Sequence, residues 1–427
     1  MAQSQFTIDP DKYKNKEKQI DNDLLSSFAS NCIINGGKWV FLSNRIIAYW
    51  PLSIKKSSQN GHKYLAFHLL SIGLLISIMH ALIDTLHTVH FILTIENELK
   101  FFSNIMDKVA MYLWDSLIFT ISTITRILGV LYMPKIHHFW NQIVGIVKQL
   151  TLLTSQQQTE KIFKSLNASG LKWFILFSLL SGVIFGISVY YYFFVYDEPI
   201  IIAISALTSV ILTCTHTSAS FFYLFFISIL TNGFTVCKRE LGKLAPANSE
   251  GQSDRERSAK LDQILKLIRN LECCTNEFNN IFGVNLFLET VICFATIMLA
   301  MYSMHSSKDK SVVYIIAMLL QIVLYIICFV SLCVAGSRLT NQCKSMSKKF
   351  QEIPLSSISK EQGLQIQLVV QRLSAKPVGI YVSQLFQIQE SLLSFVSFIF
   401  FAGTIKSNIS KHLTLVLLGF NLVYNND

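Results

Sequence analysis

The sequence predicts an all-α membrane protein, a seven-transmembrane-helix bundle with inverted topology, N-terminus cytoplasmic and C-terminus extracellular. Three observations predict it. Seven long apolar stretches punctuate the 427 residues, and hydrophobic residues make up 52% of the chain against 15% charged, where a soluble average is nearer ~25% charged. With the N-terminus inside, the inner segments hold 29 of the 36 basic residues and the outer ones hold five. Cytoplasmic segments of membrane proteins carry just such an excess of Lys and Arg.

The elements follow in order. Met1–Asn60 is polar and charged with only short apolar runs, so no signal peptide is expected and the first span must act as the insertion signal. Six spans are expected at Tyr64–Leu86, Lys108–Met133, Leu171–Val195, Pro199–Leu230, Ile281–Ser303 and Val312–Gly336. Each covers the ~20 residues a helix needs to cross ~30 Å of hydrocarbon. Lipid offers the backbone no partners, so stretches this long must bond internally as helices. A seventh lies within Ser391–Tyr424 and is broken. The organisation is therefore residues 1–63, a cytoplasmic N-terminal segment; 64–336, a six-helix membrane bundle with cytoplasmic helical loops; 337–390, a cytoplasmic helix leading to the last span; and 391–427, that last, interrupted, pore-type span. The inner stretches Ile136–Gly170 and Leu261–Asn280 carry apolar residues at helical spacing and should extend the membrane helices below the bilayer. Ala245–Ser258, with Pro246, Asn248, Ser249 and Gly251, reads as a linker.

Several function classes are disfavoured. The net charge of +10 reflects topology and attraction to the anionic inner leaflet, not nucleic acid. None of the nine cysteines falls in an outer loop, so no extracellular disulfide is expected; Cys273-Cys274 reads as packing. The pairs His87/His90 and His137-His138 lie on opposite sides of the bilayer and cannot share a metal ion. No Gly-rich phosphate loop or serine elbow is present. Neither enzyme activity nor a cofactor is expected. No internal repeat points to a transporter of duplicated halves.

Polar groups within the spans carry more information, since an ionisable residue at membrane depth costs ~2.5–3.5 kcal/mol on insertion scales and marks function by default. The outer halves hold His80, Asp84, Trp114, Asp115, Tyr191 and Thr208, and near mid-depth lie Thr213, Thr215, His216, Glu289, Gln321 and Tyr325. Singly, each reads as an interhelical hydrogen bond or an interfacial anchor. Together they suggest a water-filled cavity open to the exterior that binds a polar small molecule, with His80, Asp84, Trp114, Asp115, Tyr191, Thr208 and Gln321 as candidate ligand contacts. The inner halves are poorer in such groups; Arg126 and Asn285 are the main exceptions, and Arg126 can snorkel inward.

The C-terminal third resembles a known family. Gln367-Leu368-Val369-Val370-Gln371-Arg372-Leu373, Lys376-Pro377-Val378-Gly379-Ile380 and Leu385-Phe386-Gln387-Ile388 look like the end of an insect gustatory receptor, where a cytoplasmic helix leads through a Leu-Phe step into the last span. Asn280-Ile281-Phe282-Gly283 resembles the approach to the family's fifth span. The resemblance implies a tastant-gated cation channel, homotetrameric or heteromeric with other gustatory receptors. Tastant, a sugar or bitter compound, would bind in each subunit's outer pocket, and the last spans would line a pore. An insect odorant receptor subunit of the same fold, or a membrane transporter, remains the alternative. The family's last span ends in a closing motif, Thr-Tyr-Leu-Val-x-Leu-Leu-Gln-Phe; the chain departs from it at Lys406–His412, which is polar and twice charged, and at Gly419, which stands where the motif has Gln. Leu415, Leu417, Leu418 and Phe420 match the motif and are the candidate hydrophobic gate.

Overall fold

A computed structural model of the chain describes residues 10–47, 53–56, 63–66, 75, 78–83, 85–86, 89, 105–195, 199–244, 253–306, 312–353, 358–375, 378–383, 385–389 and 391–392. Helices α1 (Pro10–Gly36) and α2 (Lys38–Ile47) open it. A hairpin of β1 (Ser53–Lys56) and β2 (Lys63–Ala66) follows, antiparallel with Ser53 opposite Ala66. Residues 78–83 are helical. Six long helices come next: α3 (Ile105–Leu131), α4 (Met133–Leu153), α5 (Gln156–Val195), α6 (Pro199–Lys243), α7 (Asp254–Ser306) and α8 (Val312–Gln351). Shorter pieces close the described chain: α9 (Lys360–Ala375), then a hairpin of β3 (Tyr381–Val382) and β4 (Phe386–Gln387).

Local sequence sets the helix starts. Pro134 sits in the first turn of α4, where its missing N–H would have had no partner in any case. Ser155, Ser253 and Ser359 cap α5, α7 and α9, each hydroxyl accepting from the amide three residues on (Gln158, Glu256 and Gln362, 3.2–3.3 Å).

Helices α5, α6, α7 and α8 are each long and apolar enough to cross a membrane. They also exceed one. At 1.5 Å per residue the 53 residues of α7 reach about 80 Å, against ~30 Å of hydrocarbon. The surplus lies beyond the apolar stretches, so Ile136–Gly170 and Leu261–Asn280 fall almost wholly within α4, α5 and α7. Helix α6 is central, packed by α5, α7, α8 and α2. Where α4, α6 and α7 meet, Phe139, Phe222, Tyr223, Phe226, Phe278 and Phe282 form a fully buried aromatic core. Ring centroids lie 4.8 Å apart for Phe222–Phe226, 4.9 Å for Phe278–Phe282 and 5.2 Å for Phe139–Phe226, within the range that favours edge-to-face contact. On the other faces Ile124, Ile127, Leu179, Val183, Leu319 and Val323 are exposed, as expected where lipid replaces water.

Three boundaries differ from the sequence reading. Residues 10–47, read as a polar segment, form α1 and α2, which pack on α4, α5 and α6 and bury Ala29, Ile33, Val40 and Phe41. Tyr64-Leu65-Ala66, read as the start of the first span, is strand β2. In the sequence Asn60-Gly61 stands between the two strands, a hairpin signal that a hydropathy window does not register. The linker read at Ala245–Ser258 ends early, because Ser253 caps α7 and its helix begins at Asp254.

The β3–β4 hairpin is held firmly between α7 and α8. Asn279 of α7 donates to the Gly379 carbonyl at 2.9 Å and accepts from the Tyr381 amide at 3.0 Å. Gln387 donates to the Thr340 hydroxyl of α8 at 2.7 Å. Gly336 allows the contact: a Cβ there would run into the Ile388 carbonyl. The turn itself uses Ser383 at φ 46°. Leu392 then donates to the Gln389 carbonyl at 3.0 Å as the chain turns helical at Ser391–Leu392.

Candidate functional site

Polar side chains from four helices converge inside the membrane-spanning part of the bundle. On α7, Asn285, Glu289 and Thr296 follow at steps of four and seven, which puts them on one helical face. On α3, Ser122 and Arg126 are one turn apart. Thr215 and His216 come from α6, and Tyr325 from α8. All eight are buried.

Their contacts define the site. The His216 ring Nδ1 lies 2.8 Å from Glu289 Oε2, and both side chains are under 5% exposed. The His216 ring sits 5.8 Å from the Tyr325 ring, tilted by 49°. Arg126 donates to the Thr215 hydroxyl at 3.1 Å, while that hydroxyl donates to the Ile211 carbonyl at 2.7 Å. Arg126 therefore stays in the bundle, 4% exposed, and does not use the reach that would let it snorkel. Among the described residues the Asn285 amide, Glu289 Oε1, His216 Nε2 and Ser122 Oγ find no hydrogen-bond partner. Unpaired buried polar atoms of this number cost free energy, and such atoms mark places where water or a polar ligand is accommodated.

Outside the spans the helix extensions are tied by charge. Glu240 on α6 is 1% exposed and takes Lys243 at 2.7 Å and Lys260 of α7 at 2.9 Å. Burial acts to raise its carboxyl, but the hydrogen bonds and charges of Lys243 and Lys260 prevail and hold it below the usual range. Glu272 on α7 meets Arg372 of α9 at 3.5 Å; here burial prevails and its carboxyl is raised. All nine cysteines are free thiols; Cys274 is buried and Cys273 exposed.

The sequence-read contacts divide sharply. His80 lies half-buried in the helical residues 78–83, and Gln321 half-buried on α8, one turn from Tyr325. Trp114 and Asp115 fall in α3, Tyr191 in α5 and Thr208 in α6, but their side chains, like Asp84, lie outside the described residues. So do the gate candidates Leu415, Leu417, Leu418 and Phe420. What the sequence reading passed over is the pairing of His216 with Glu289, residues it placed at mid-depth without joining them. The four-residue spacing of Asn285 and Glu289 was the signal that α7 turns a polar face inward.

Comparison with known proteins adds the following. Residues 60–420 match the family model described as 7tm chemosensory receptor. The olfactory receptor OR5 from Machilis hrabei has a similar structure, with TM-score 0.67 and 11% identity over 86% of this chain and 96% of that one. The same receptor in complex with eugenol gives TM-score 0.66 and 12% identity over 87% and 97%. At such identity the likeness is one of fold, the seven-transmembrane fold of insect olfactory receptors. A search of curated protein sequences gave no match.

Proposed function

We propose a function from one premise: the chain belongs to the 7tm chemosensory receptor family. This is a multi-pass membrane receptor family and not an enzyme family. Within it, we read the chain as a gustatory receptor of the plasma membrane, a homotetrameric or heteromeric cation channel opened by a small polar tastant in an outward-facing pocket. The observation that carries the reading is the run of residues 60–420 that matches the family, joined to the gustatory-type sequence of Gln367–Ile388. The N-terminus is cytoplasmic on this reading, from the distribution of Lys and Arg. His80, Asp84, Trp114, Asp115, Tyr191, Thr208 and Gln321 contact the ligand, and Leu415, Leu417, Leu418 and Phe420 form the gate. Ligand shifts a closed–open equilibrium by its differential affinity for the two states. On this reading the polar cluster around His216 and Glu289 stands near mid-depth and meets the pocket at Gln321, one helical turn from Tyr325.

An odorant receptor subunit is the second reading, favoured by the olfactory receptors among the similar structures. The test is recording from cells that express the chain, alone and with co-receptors, against sugars, bitter compounds and volatile aromatics such as eugenol. Tastant-evoked cation current supports the first reading; current evoked by volatiles alone supports the second. Surface-expressed assemblies silent to the whole panel would count against both. In responding cells, Asp84→Ala or Asp115→Ala should change ligand sensitivity more than surface expression. An N-terminal epitope should bind antibody only after permeabilisation.

A further inference from the structure

A cavity of about 440 Å³ opens between α2, α5, α6 and α8 and shares no lining residue with the polar cluster. Its place along the helices is informative. On α5 its lining runs from Ser165 and Ser169 to Trp173, across the start of the apolar stretch at Leu171. On α6 it runs from Phe221 to Asn232, across the end of that stretch at Leu230. On α8 it runs from Val330 to Arg338, across the end at Gly336. All three helices thus pass from hydrocarbon to interface within the same groove. Its membrane half is apolar and aromatic, with Trp173 stacked on Phe177 at 5.5 Å and Phe177 edge-on to Phe221 at 6.3 Å. The Ser228 and Thr231 hydroxyls in the wall donate to the carbonyls of their own helix, Leu224 and Ile227, so they ask nothing of an occupant. Its other half ends on Arg338, the sole charged residue among the described residues that line it, and exposed.

We propose that this groove binds an anionic glycerophospholipid, with an acyl chain along Trp173, Phe221 and Val334 and the headgroup phosphate on the Arg338 guanidinium. An apolar trough capped by a lone cation at the interface is complementary to an amphiphile with an anionic head. Basic pockets between membrane helices on the cytoplasmic side take such headgroups, and a guanidinium matches phosphate with two parallel hydrogen bonds. A soluble phosphate compound would leave the aromatic half unfilled, and a zwitterionic lipid would meet Arg338 with a phosphate already offset by its own ammonium group. The preference for anionic lipid also draws on the orientation proposed above, which sets this end of the bundle in the anionic inner leaflet.

The test is competition on the purified full-length assembly in detergent with equimolar phosphatidylserine and phosphatidylcholine, lipid retained per subunit being counted by native mass spectrometry. The wild type should retain phosphatidylserine in preference. Arg338→Gln should lower that preference about fivefold, Arg338→Lys should largely keep it, and Val334→Trp, which fills the trough, should lower retention of both lipids. Phosphatidylserine brominated on its acyl chains should quench Trp173 fluorescence, read as the difference from Trp173→Phe. An unchanged preference in Arg338→Gln, unchanged retention in Val334→Trp, displacement of the lipid by inorganic phosphate, or unquenched Trp173 would each overturn the proposal. None of these readouts depends on membrane orientation, so this failure and that of the proposed topology are distinguishable.

Discussion

Removing His216 should destabilise the bundle more than removing Glu289, and removing both should cost less than removing His216 alone. The two groups meet at 2.8 Å, each under 5% exposed. At an effective dielectric of ~20 two unit charges at that distance would gain about 6 kcal/mol gross, which desolvation largely offsets. Hydrogen bonds between membrane helices give ~0.6 to ~1.7 kcal/mol in double-mutant cycles. The pair therefore contributes little, and its loss is asymmetric. His216→Ala leaves the Glu289 carboxyl with neither oxygen paired, since Oε1 has no partner among the described residues; breaking a buried pair in this way costs ~3–5 kcal/mol. Glu289→Ala leaves an imidazole, a lesser orphan at ~1–3 kcal/mol. The double variant leaves neither. Unfolding free energies from detergent titration in mixed micelles would give the four corners of the cycle. Additive costs, or a milder effect for His216→Ala than for Glu289→Ala, would refute the claim that the partner's desolvation sets the cost.

Other outcomes follow from the geometry. Gly336→Ala should displace the β3–β4 hairpin and cost ~1–3 kcal/mol, the usual range for overpacking; protease cleavage near Ser383 should speed up, while Gly182→Ala, at a site with open space for a Cβ, should leave it unchanged. Phe282→Ala, which empties the centre of the aromatic core, should cost ~3–5 kcal/mol and lower the thermal midpoint of the purified receptor. The Glu240 carboxyl is held below its ordinary value in the folded state, so its contribution is complete above ~pH 4.3 and fades as pH falls through the lowered value. Midpoints measured from pH 3 to 7 should show that acid loss, and Lys260→Met should shrink it.

How much of this was legible depended on length scale. Apolar runs of 20 or more residues are unambiguous, and α5 to α8 lie where hydropathy and helical spacing put them. The ends were harder, because hydropathy stops at the interface while the backbone does not: α8 passes Gly336 and continues to Gln351. The N-terminal helices were hidden for a related reason. Helix α1 mixes Lys, Asp and Asn with Ala29, Cys32 and Ile33, and its helical state depends on packing against α4 and α5. At the site, His216 and Glu289 stand 73 positions apart, and no local pattern links such residues. Their shared depth was readable; their partnership was set by how α6 rotates against α7.

The hairpin between α7 and α8 has one more consequence. A helix turns by about 100° per residue, so the face it presents is fixed by where counting begins. Here it begins at Ile388, whose amide donates to the Ile380 carbonyl at 2.8 Å and whose carbonyl rests over Gly336. The hairpin is a phase reference. Lengthening the chain by one residue after it would swing every later side chain of a continuous helix by more than a quarter-turn, whereas a residue exchanged there would swing none. A chain altered after Ile388 would thus be distinguished less by which residues it contains than by how many.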